Sequence, residues 1–263
     1  VSGGKDSLGL WDILWRLGYK ADGLYIGLGI NGERDYSNES QRLSVKFAAE
    51  RDLQLQVVSV PDSYGSTIPE MSRLTLRGKG KPCSVCGLVK RHIMNQVAMD
   101  GGYTVLATGH NLDDEAAVLF GNTLNWQTGY LVRQSPVLEA HHPGLVRKVK
   151  PLFRFYEREM AAYALLQGIE YIYDECPYAV GSKSIYYKEL LNQLEAERPG
   201  AKLSFYLSFL KAKDEGLFAQ EIAPDRIDLN TCPGCGQPTT APGECAFCRM
   251  VEKVSAGDIR KSD

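Results

Sequence analysis

Seven cysteines, six of them in three CxxC pairs, are the residues whose types and spacing point most directly to chemistry. Close pairs and an odd total suit metal binding in a reducing compartment better than a framework of disulfides. The cysteines are Cys83, Cys86, Cys176, Cys232, Cys235, Cys245 and Cys248. We therefore expect metal centres, and the spacing divides the cysteines into two groups.

The four C-terminal cysteines predict a structural zinc site. Cys232 and Cys235 form one pair, Cys245 and Cys248 form another, and nine residues separate the pairs. This spacing lets two thiolate knuckles complete a tetrahedral Zn²⁺ site. Residues 229–250 are rich in Cys, Pro and Gly and are too few for an apolar core of their own. Zinc is therefore expected to hold this ribbon together, for stability, RNA contact or both.

The other three cysteines could hold an iron–sulfur cluster. Cys83 and Cys86 precede a predicted helix, and Cys176 lies in the stretch DECPYA, with no second pair to complete a zinc site. Three thiolates can bind such a cluster and leave one iron open to an outside ligand, which could be sulfur. Alternatively, Cys83 and Cys86 cap or pack a helix, and Cys176 is a buried apolar thiol.

A glycine-rich turn at the start of the sequence, VSGGKDS, predicts a phosphate site. Gly3 and Gly4 let backbone N–H groups approach an anion, and Ser2 and Ser7 add hydroxyl donors at the start of a helix. A plain turn before a helix is the alternative, but the complete run favours a ligand site. The spacing disfavours a Walker-type kinase or ATPase, which needs G-x-x-x-x-G-K-[ST].

The stretch ATGHNLDDEAAVLFGN at 107–122 predicts a second part of the same site. Gly109 would allow close approach of the backbone to a nucleotide. The carboxylates of Asp113, Asp114 and Glu115 begin a helix, where they can bind Mg²⁺ or position a reacting group. Compensation of the helix dipole is the alternative for Asp113 and Glu115, whereas Asp114 is expected to act in the reaction.

These motifs require a scaffold of alternating strands and helices. Hydrophobic periodicity predicts strands within 21–30, 53–60 and 103–109, and helices within 6–18, 39–51, 87–100 and 111–124. The alternation indicates an α/β fold, a parallel sheet with helices on both faces, with ligands at the carboxyl ends of the strands. The expected units are a catalytic domain over 1–180, a helical extension over 181–227, a zinc ribbon over 228–252 and a tail over 253–263.

Composition and charge exclude several classes of protein. The chain is 44% apolar and 24% charged, as ordinary globular proteins are, and its net charge of -2 argues against a uniformly basic nucleic-acid binder. No apolar run could span a bilayer, so the cytosol is the expected location. Two basic segments could still meet a nucleic-acid backbone. They are Arg73, Arg77, Lys79, Lys81, Lys90 and Arg91, and Arg147, Lys148, Lys150, Arg154 and Arg158.

The motifs resemble one family in a fixed order, from Val1 to about Lys253. SGGKDS is similar to the PP-loop of N-type ATP pyrophosphatases, which split ATP between the α and β phosphates. The stretches CGLVKRHIMNQVA, TGHNLDDEAAVLFGN, ECP, SKSIYYKE and PTTAPGECAFCRM resemble the TtcA/TtuA family of tRNA thiolation enzymes. The ribbon favours the 2-thiouridine synthetase branch. The implied fold is the adenine nucleotide alpha hydrolase-like PP-loop fold.

The resemblance implies an ATP-dependent tRNA sulfurtransferase. Family members adenylate the C2 oxygen of a tRNA base and then replace AMP with sulfur. The ribbon suggests the T-loop 5-methyluridine as the target, although close relatives modify the anticodon wobble uridine. Cys83, Cys86 and Cys176 would hold a [4Fe-4S] cluster whose open iron binds hydrosulfide. The implied catalytic residues are Cys83, Cys176, Lys90 and Asp114.

The resemblance also implies an ATP and Mg²⁺ site and several partners. The implied binding residues are Ser2, Gly3, Gly4, Asp6, Ser7, Ile26, Lys90, Gly109 and Asp114; for Lys90, a solvated charge is the alternative. A ubiquitin-like carrier protein with a C-terminal thiocarboxylate would supply sulfur to a cytoplasmic homodimer that binds tRNA. Family members carry a β-strand, and a zinc-binding segment before it, ahead of the PP-loop, whereas only Val1 precedes Ser2 here. We therefore expect incomplete sheet pairing beside this loop.

Two other functions fit the same residues. A PP-loop adenylating enzyme could use a persulfide on Cys83 or Cys176, or could carry out chemistry without sulfur. A non-catalytic tRNA-binding protein could use the zinc ribbon and the basic segments, and it would bind tRNA without any ATP-dependent release of AMP. Iron content and anaerobic absorbance separate the cluster from the alternatives.

Overall fold

The computed structural model describes residues 1–31, 35–75, 77, 82–219 and 229–256. Lys79 and Lys81 of the first basic segment lie outside these residues. So do the last residues of the expected helical extension and all but the first four residues of the expected tail. Within the described ranges the chain forms eleven helices and seven short strands.

Helices and strands alternate through the first half of the chain, as the periodicity predicts. The elements are α1 (Lys5–Arg16), β1 (Gly23–Gly27), α2 (Tyr36–Glu50), β2 (Leu55–Ser59), α3 (Val60–Tyr64), α4 (Ile68–Thr75), α5 (Pro82–Asp100), β3 (Val105–Ala107) and α6 (Leu112–Leu124). The three predicted strands and four predicted helices of this half are therefore confirmed, with shifted ends.

The second half is mainly helical and ends in the cysteine-rich ribbon. Its elements are α7 (Thr128–Arg133), β4 (Val137–Leu138), β5 (Arg147–Val149), α8 (Glu157–Leu166), α9 (Lys183–Glu197), α10 (Ala201–Asp214), β6 (Asn230–Thr231), β7 (Pro238–Thr239) and α11 (Ala246–Ser255). No helix in the described ranges is long and apolar enough to cross a membrane.

The parallel strands form two small sheets in the described residues. β1 pairs in parallel with β2, with Gly23 opposite Leu55, and β3 pairs in parallel with β5, with Val105 opposite Arg147. β4 adds an antiparallel strand to β5. The α/β class and the parallel pairing are confirmed, but one uninterrupted parallel sheet is not observed, because no described strand joins β1 to β3.

Helices pack against these strands through two apolar layers. On one side α1, α2 and α8 meet, where the rings of Trp11 and Phe47 stack with their centroids 5.4 Å apart. On another side α4 and α5 supply Ile68, Val85 and Val89, all fully buried. Burying such side chains stabilises the fold by about 1.5–3 kcal/mol each. The turn that precedes α1 is therefore held by a rigid scaffold.

The helical extension packs directly on the catalytic region. Tyr206 of α10 is fully buried beside Leu112 and Leu119 of α6, and Leu191 of α9 is buried against Ala116 and Ala117. These contacts mean that α9 presents side chains to the start of α6, where the acidic motif lies.

The cysteine-rich ribbon docks on the core of the catalytic region, a contact that the sequence did not predict. Phe247, Met250 and Val254 of α11 are buried in the same cluster as Val85 and Ile93 of α5. They recur at positions i, i+3 and i+7, which form one face of a helix. This helix continues to Ser255 and so crosses the boundary expected at residue 252. The ribbon is therefore held by packing as well as by its cysteines.

Candidate active site and metal centres

The PP-loop takes a conformation that requires glycine at Gly3. Its φ of +71° lies in the left-handed region, and a Cβ atom there would stand 2.6 Å from the Ser40 backbone oxygen of α2. The Gly3 carbonyl accepts a hydrogen bond of 2.8 Å from the backbone N–H of Ile172. The loop is thus clamped between α2 and the segment that leads to Cys176.

Replacing Gly3 with alanine is expected to weaken ATP binding about tenfold or more and to destabilise the loop. A left-handed non-glycine residue costs about 1–2 kcal/mol, and the new methyl group would also collide with Ser40. Isothermal titration with ATP and thermal unfolding measure the two effects. Gly4→Ala is the matched control for the fold, because the nearest atom to a new Cβ there is 3.7 Å away. Wild-type ATP affinity in Gly3→Ala would contradict the assignment of this turn.

The start of α1 offers N–H donors to an anion. Gly4 is the N-cap residue, and among the described residues no side chain caps this helix. Uncapped N–H groups of a first helical turn are suited to bind phosphate. The Ser7 hydroxyl donates to the Gly4 carbonyl at 3.0 Å and accepts from the Ser2 N–H at 3.0 Å, so both serines fix the turn.

A chain of five charged side chains runs from the PP-loop to the acidic motif. The Lys5 Nζ atom lies 3.1 Å from Asp6 Oδ2 and 2.7 Å from Glu157 Oε1. The Lys188 Nζ atom lies 3.0 Å from Glu157 Oε2 and 2.7 Å from Asp114 Oδ1. Three carboxylates and two ammonium groups therefore meet beside the predicted phosphate site.

The five linked side chains shift one another's pKa values. Burial opposes ionisation of Glu157, but Lys5 and Lys188 outweigh it and lower the pKa of the carboxyl to about 2. Burial opposes protonation of Lys188, but Asp114 and Glu157 raise its pKa above the usual value. Burial raises the pKa of Asp6, and the negative charge of Asp114 acts in the same direction. The carboxylates of Asp6 and Asp114, both beside the predicted phosphate site, are suited to bind Mg²⁺.

Neither Glu157 nor Lys188 was identified from the sequence. Glu157 lies at the start of α8, and Lys188 lies on α9 within the motif SKSIYYKE. The motif was the only signal for Lys188, and nothing in the sequence places Glu157 beside Lys5, which is 152 residues away.

The three adjacent carboxylates of the acidic motif have different roles. Asp113 accepts from the backbone N–H of Glu157 at 2.7 Å and pairs with the buried Lys202 ammonium. Glu115 pairs with Lys150 at 2.8 Å and accepts from the Tyr206 hydroxyl at 3.0 Å. Both are therefore structural. Asp114 is less buried and belongs to the chain of charged side chains at the PP-loop, through its ion pair with Lys188.

Replacing Asp113 with alanine is expected to destabilise the protein by about 3–5 kcal/mol, because it leaves the Lys202 ammonium, only 4% exposed, without its carboxylate. Urea denaturation measures the loss. Asp114→Ala is the neighbouring control. It removes a carboxylate of the α6 capping box, which should lower the free energy of unfolding by only about 1 kcal/mol. Its main effect should be loss of activity. Equal destabilisation by the two substitutions would contradict this division of roles.

Gly109 and Ile26 lie at the carboxyl ends of strands, where ligands bind in α/β sheets. A Cβ atom on Gly109 would stand 2.9 Å from the backbone of Asp6, so this glycine is needed for contact between β3 and the start of α1. That packing role differs from the predicted contact with a nucleotide. Ile26 lies in β1 opposite Val58 of β2 and is half-buried.

The three remaining cysteines come together near the PP-loop. Cys83 and Cys86 lie in the first turns of α5, and Cys86 and Cys176 pack against the same apolar cluster. The Cys83 thiol contacts the backbone oxygen of Tyr178, two residues beyond Cys176, at 3.5 Å. Burial raises the pKa of the Cys86 thiol, the charges of Cys176 and Cys83 act in the same direction, and Lys90 opposes them. The Cys86 thiol is therefore within electrostatic reach of both other thiols.

The donor set fits a cluster better than a single ion. Within the described ranges, only the four ribbon cysteines bring three or more metal-binding atoms within 4.8 Å of one another. Cys83, Cys86 and Cys176 are therefore spaced more widely than a tetrahedral ion needs. Cys83 is exposed and the other two are half-buried, so the centre opens to solvent. Three thiolates with an open side suit an iron–sulfur cluster with a free iron position.

Lys90 lies one turn after Cys86 on α5, so the two side chains share one face of that helix. The positive charge of Lys90 opposes the effect of burial, which raises the pKa of the Cys86 thiol. Lys90 therefore lies beside the cysteine centre.

The ribbon cysteines form the arrangement that zinc requires. All four Sγ atoms lie within 4.8 Å of one another. The Cys245 N–H donates to the Cys232 sulfur at 3.2 Å, and the Cys248 N–H donates to the Cys245 sulfur at 3.4 Å. Backbone N–H groups aimed at sulfur stabilise thiolates, the form that binds metal. The donor set and its geometry fit a structural tetrahedral ion.

The two basic segments partly converge. Burial and the positive charge of Arg91 on α5 lower the pKa of Lys148 on β5, so one residue of each segment lies near the other. Like charges brought together favour an anionic partner. Lys150 does not contribute, because it pairs with Glu115, and Arg147 pairs with Glu139 at 3.1 Å. Lys79 and Lys81 lie outside the described residues.

The chain is similar along most of its length to curated tRNA-modifying proteins. It is 53% identical over 254 residues to the tRNA-5-methyluridine(54) 2-sulfurtransferase of Thermus thermophilus, covering 97% of this chain and 75% of that protein. It is 44% identical over 255 residues to the protein of the same name from Thermotoga maritima, covering 97% and 80%. It is 31% identical over 272 residues to the Cytoplasmic tRNA 2-thiolation protein 1 of Caenorhabditis elegans, covering 100% and 69%.

A solved structure is similar in both fold and sequence. The U34-tRNA thiolase NcsA from Methanococcus maripaludis, determined with its [4Fe-4S] cluster, superposes with a TM-score of 0.70. It is 28% identical, and the match covers 81% of this chain and 71% of that chain. No family model matches the chain. The extent of these similarities, together with the PP-loop and the cysteine motifs, shows that the chain belongs to the TtcA/TtuA family of tRNA thiolation enzymes.

Proposed function

We propose that this chain is a tRNA 2-thiouridine synthetase that thiolates the T-loop 5-methyluridine at C2. The observation that carries the proposal is the 2.8 Å hydrogen bond from the Ile172 N–H to the Gly3 carbonyl, which joins the PP-loop to the segment that leads to Cys176 in the cysteine centre. An enzyme that first adenylates an oxygen and then replaces it with sulfur needs these two centres side by side. The thiolase names of the relatives support the reaction, and the Thermus and Thermotoga names support the T-loop base.

In the first step, the uridine C2 oxygen attacks the α phosphorus of ATP and pyrophosphate leaves. The N–H groups at the start of α1, with Ser2 and Ser7, would bind the phosphates. Asp6 and Asp114 would hold Mg²⁺ against them. Lys5 and Lys188, which now neutralise Asp6, Glu157 and Asp114, could then turn toward the phosphate oxygens. Lys90 would stabilise charge at the α phosphate.

In the second step, a C2–S bond forms, the C2–O bond breaks, and AMP leaves with the original uridine oxygen. Cys83, Cys86 and Cys176 would hold a [4Fe-4S] cluster, which when bound would supply an open iron able to carry the sulfur. Lys90 would stay beside the departing phosphate. The exposure of Cys83 would let a sulfur donor reach the centre.

The other parts of the chain would bind and support the tRNA. Zn²⁺ at the four ribbon cysteines would be structural. Arg91 and Lys148 would contact the phosphate backbone, which gives affinity that falls with salt and little sequence recognition. A thiocarboxylated ubiquitin-like carrier as sulfur source and a homodimer are proposed from the family resemblance. A cytoplasmic location is supported by the name of the nematode relative.

The test is a thiolation assay on protein whose cluster has been reconstituted without oxygen. The protein is incubated with ATP, Mg²⁺, sulfide and tRNA, and the nucleosides are analysed by mass spectrometry. We expect ATP-dependent 2-thio-5-methyluridine and one AMP per sulfur inserted. A tRNA with cytidine in place of the T-loop target should remain unmodified. Sulfur at the wobble uridine would refute the choice of base, and tRNA binding without AMP would favour a binding protein.

A second assay, on iron-free protein, tests the persulfide alternative. It replaces sulfide with a donor of sulfane sulfur, because sulfide cannot form a persulfide without an oxidant. The outer sulfur of a Cys83 persulfide would attack C2 as AMP leaves, and the Cys176 thiolate would then form a disulfide with Cys83 and release the thiolated base. Thiolation under these conditions, with that disulfide formed, would replace the cluster mechanism.

A further inference from the structure

We propose that Tyr173 is the aromatic platform on which the uracil ring of the target nucleotide stacks. The inference rests on the proposed function and adds to it a binding residue for the pyrimidine base. Tyr173 lies in the segment between α8 and α9, outside the PP-loop, the acidic motif and the cysteine pairs.

The first argument is the position of this segment. The residue before Tyr173, Ile172, donates to the carbonyl of Gly3 in the PP-loop at 2.8 Å. Cys176 follows three residues later, so its Cα atom lies at most about 10 Å from that of Tyr173. A base whose C2 must meet first the α phosphate and then sulfur has to lie between these two centres. Tyr173 belongs to the short segment that joins these two centres, and its exposed ring is available there.

The second argument is that folding does not account for the ring. The Tyr173 side chain is 79% exposed, so it contributes almost no apolar burial. The neighbouring Tyr171 ring lies 4.5 Å away at an angle of 40° and is anchored in the apolar layer of Trp11 and Phe47. The electrostatic surroundings of Tyr171 include Lys5 and Asp6 of the PP-loop. One ring is therefore fixed at the site, and it supports a second ring that faces outward.

The third argument is the chemistry of the substrate. An enzyme that reacts with a base must unstack it, and the extruded base is commonly held on an aromatic side chain. Such stacking contributes about 1–3 kcal/mol per base. Stacking leaves the C2 oxygen at the edge of the uracil ring free, so the edge can face the phosphate and the cysteines while the face rests on tyrosine.

The test measures how two substitutions of Tyr173 change the binding of two forms of the substrate tRNA. Tyr173→Leu keeps apolar bulk but removes the π face, and Tyr173→Phe keeps the face but removes the hydroxyl. Tyr19→Leu is the matched control: Tyr19 is 63% exposed but lies beyond the far end of α1, roughly 18 Å along the helix from the PP-loop. Dissociation constants are measured for tRNA with the target uridine and for tRNA abasic at that position.

We expect Tyr173→Leu to weaken binding of intact tRNA by about 5- to 150-fold. Tyr173→Phe and Tyr19→Leu should bind like wild type. The abasic tRNA should bind the wild type and Tyr173→Leu with equal affinity. Removing the base and removing the ring abolish the same stacking interaction, so the two losses do not add. An equal loss for intact and abasic tRNA, or no loss for either, would overturn the inference.

Further measurements distinguish failure of this inference from failure of the proposed function. Iron content and ATP affinity of Tyr173→Leu should match wild type, and a loss of either would overturn the inference by showing that the ring supports the fold. If wild type made no thiouridine but still showed the base-dependent loss with Tyr173→Leu, the proposed reaction would fail and the stacking site would stand.

Discussion

Replacing Cys176 with alanine is expected to abolish iron binding and tRNA thiolation together, while leaving ATP binding intact. Cys176 is the only one of the three cysteines that comes from outside α5, so its loss leaves two thiolates on one side of the proposed cluster. The thiol packs only at the margin of an apolar cluster, so the fold should tolerate alanine. Iron and sulfide analysis, ATP titration and nucleoside mass spectrometry measure the three properties.

Controls separate loss of the cluster from loss of the fold. Cys83→Ala and Cys86→Ala should give the same result, whereas Ser84→Ala, between these two cysteines, should retain iron and activity. A Cys176→Ala protein that keeps its iron but releases AMP without inserting sulfur would favour a persulfide on that cysteine. A variant that keeps both iron and thiolation would show that Cys176 is not part of the site.

The two candidate metal centres could be predicted from the sequence to different degrees. The paired ribbon cysteines are close neighbours along the chain, and their spacing alone predicted the four-sulfur geometry that is observed. The other centre joins Cys83 and Cys86 to Cys176, about 90 residues later, and no local rule fixes such a distance. Its assignment needed the family resemblance, and the cluster itself is still a proposal.

The acidic motif shows why neighbouring residues of one type cannot be separated from sequence. Successive residues of a helix point about 100° apart, so Asp113, Asp114 and Glu115 face three different environments. Asp113 meets Lys202 and Glu115 meets Lys150 and Tyr206. These partners come from parts of the chain that the motif does not specify. Of the three carboxylates, only Asp114 keeps a proposed role in the reaction.

The fold was predictable where periodicity is long enough to detect. In the first half, the four predicted helices and the strands β1 and β2 span five or more residues, and the run YTVLATG indicates the short β3. β4 and β5 contain only two and three residues and show no repeat. The docking of the ribbon was missed for another reason. Phe247, Met250 and Val254 carry a helical signal, but the sequence does not show which surface their common face packs against.

Because the ribbon is docked on the core, a metal bound by its four cysteines would contribute to the stability of the whole catalytic region. Phe247 of α11 stacks on His92 of α5 with ring centroids 3.6 Å apart. Gln237, between the two cysteine pairs, donates to the His92 carbonyl at 3.2 Å and to Gln96 at 2.9 Å. Because α5 also carries Cys83 and Cys86, the geometry of the ribbon bears on the cysteine centre of the proposed active site.

Replacing Cys248 with serine is therefore expected to release zinc and to lower the thermal stability of the entire catalytic region. Zinc in small structural sites contributes about 10–16 kcal/mol of binding free energy, which is comparable with the whole stability of a domain, about 5–15 kcal/mol. Zinc analysis measures the metal. Thermal unfolding of the α1 layer is followed by the fluorescence of Trp11 in a background where Trp15 and Trp126 are replaced by phenylalanine. Thr240→Ala, at an exposed position between the pairs, is the control. A zinc-free Cys248→Ser protein whose α1 layer unfolds at the wild-type temperature would show instead that the ribbon is an independent unit.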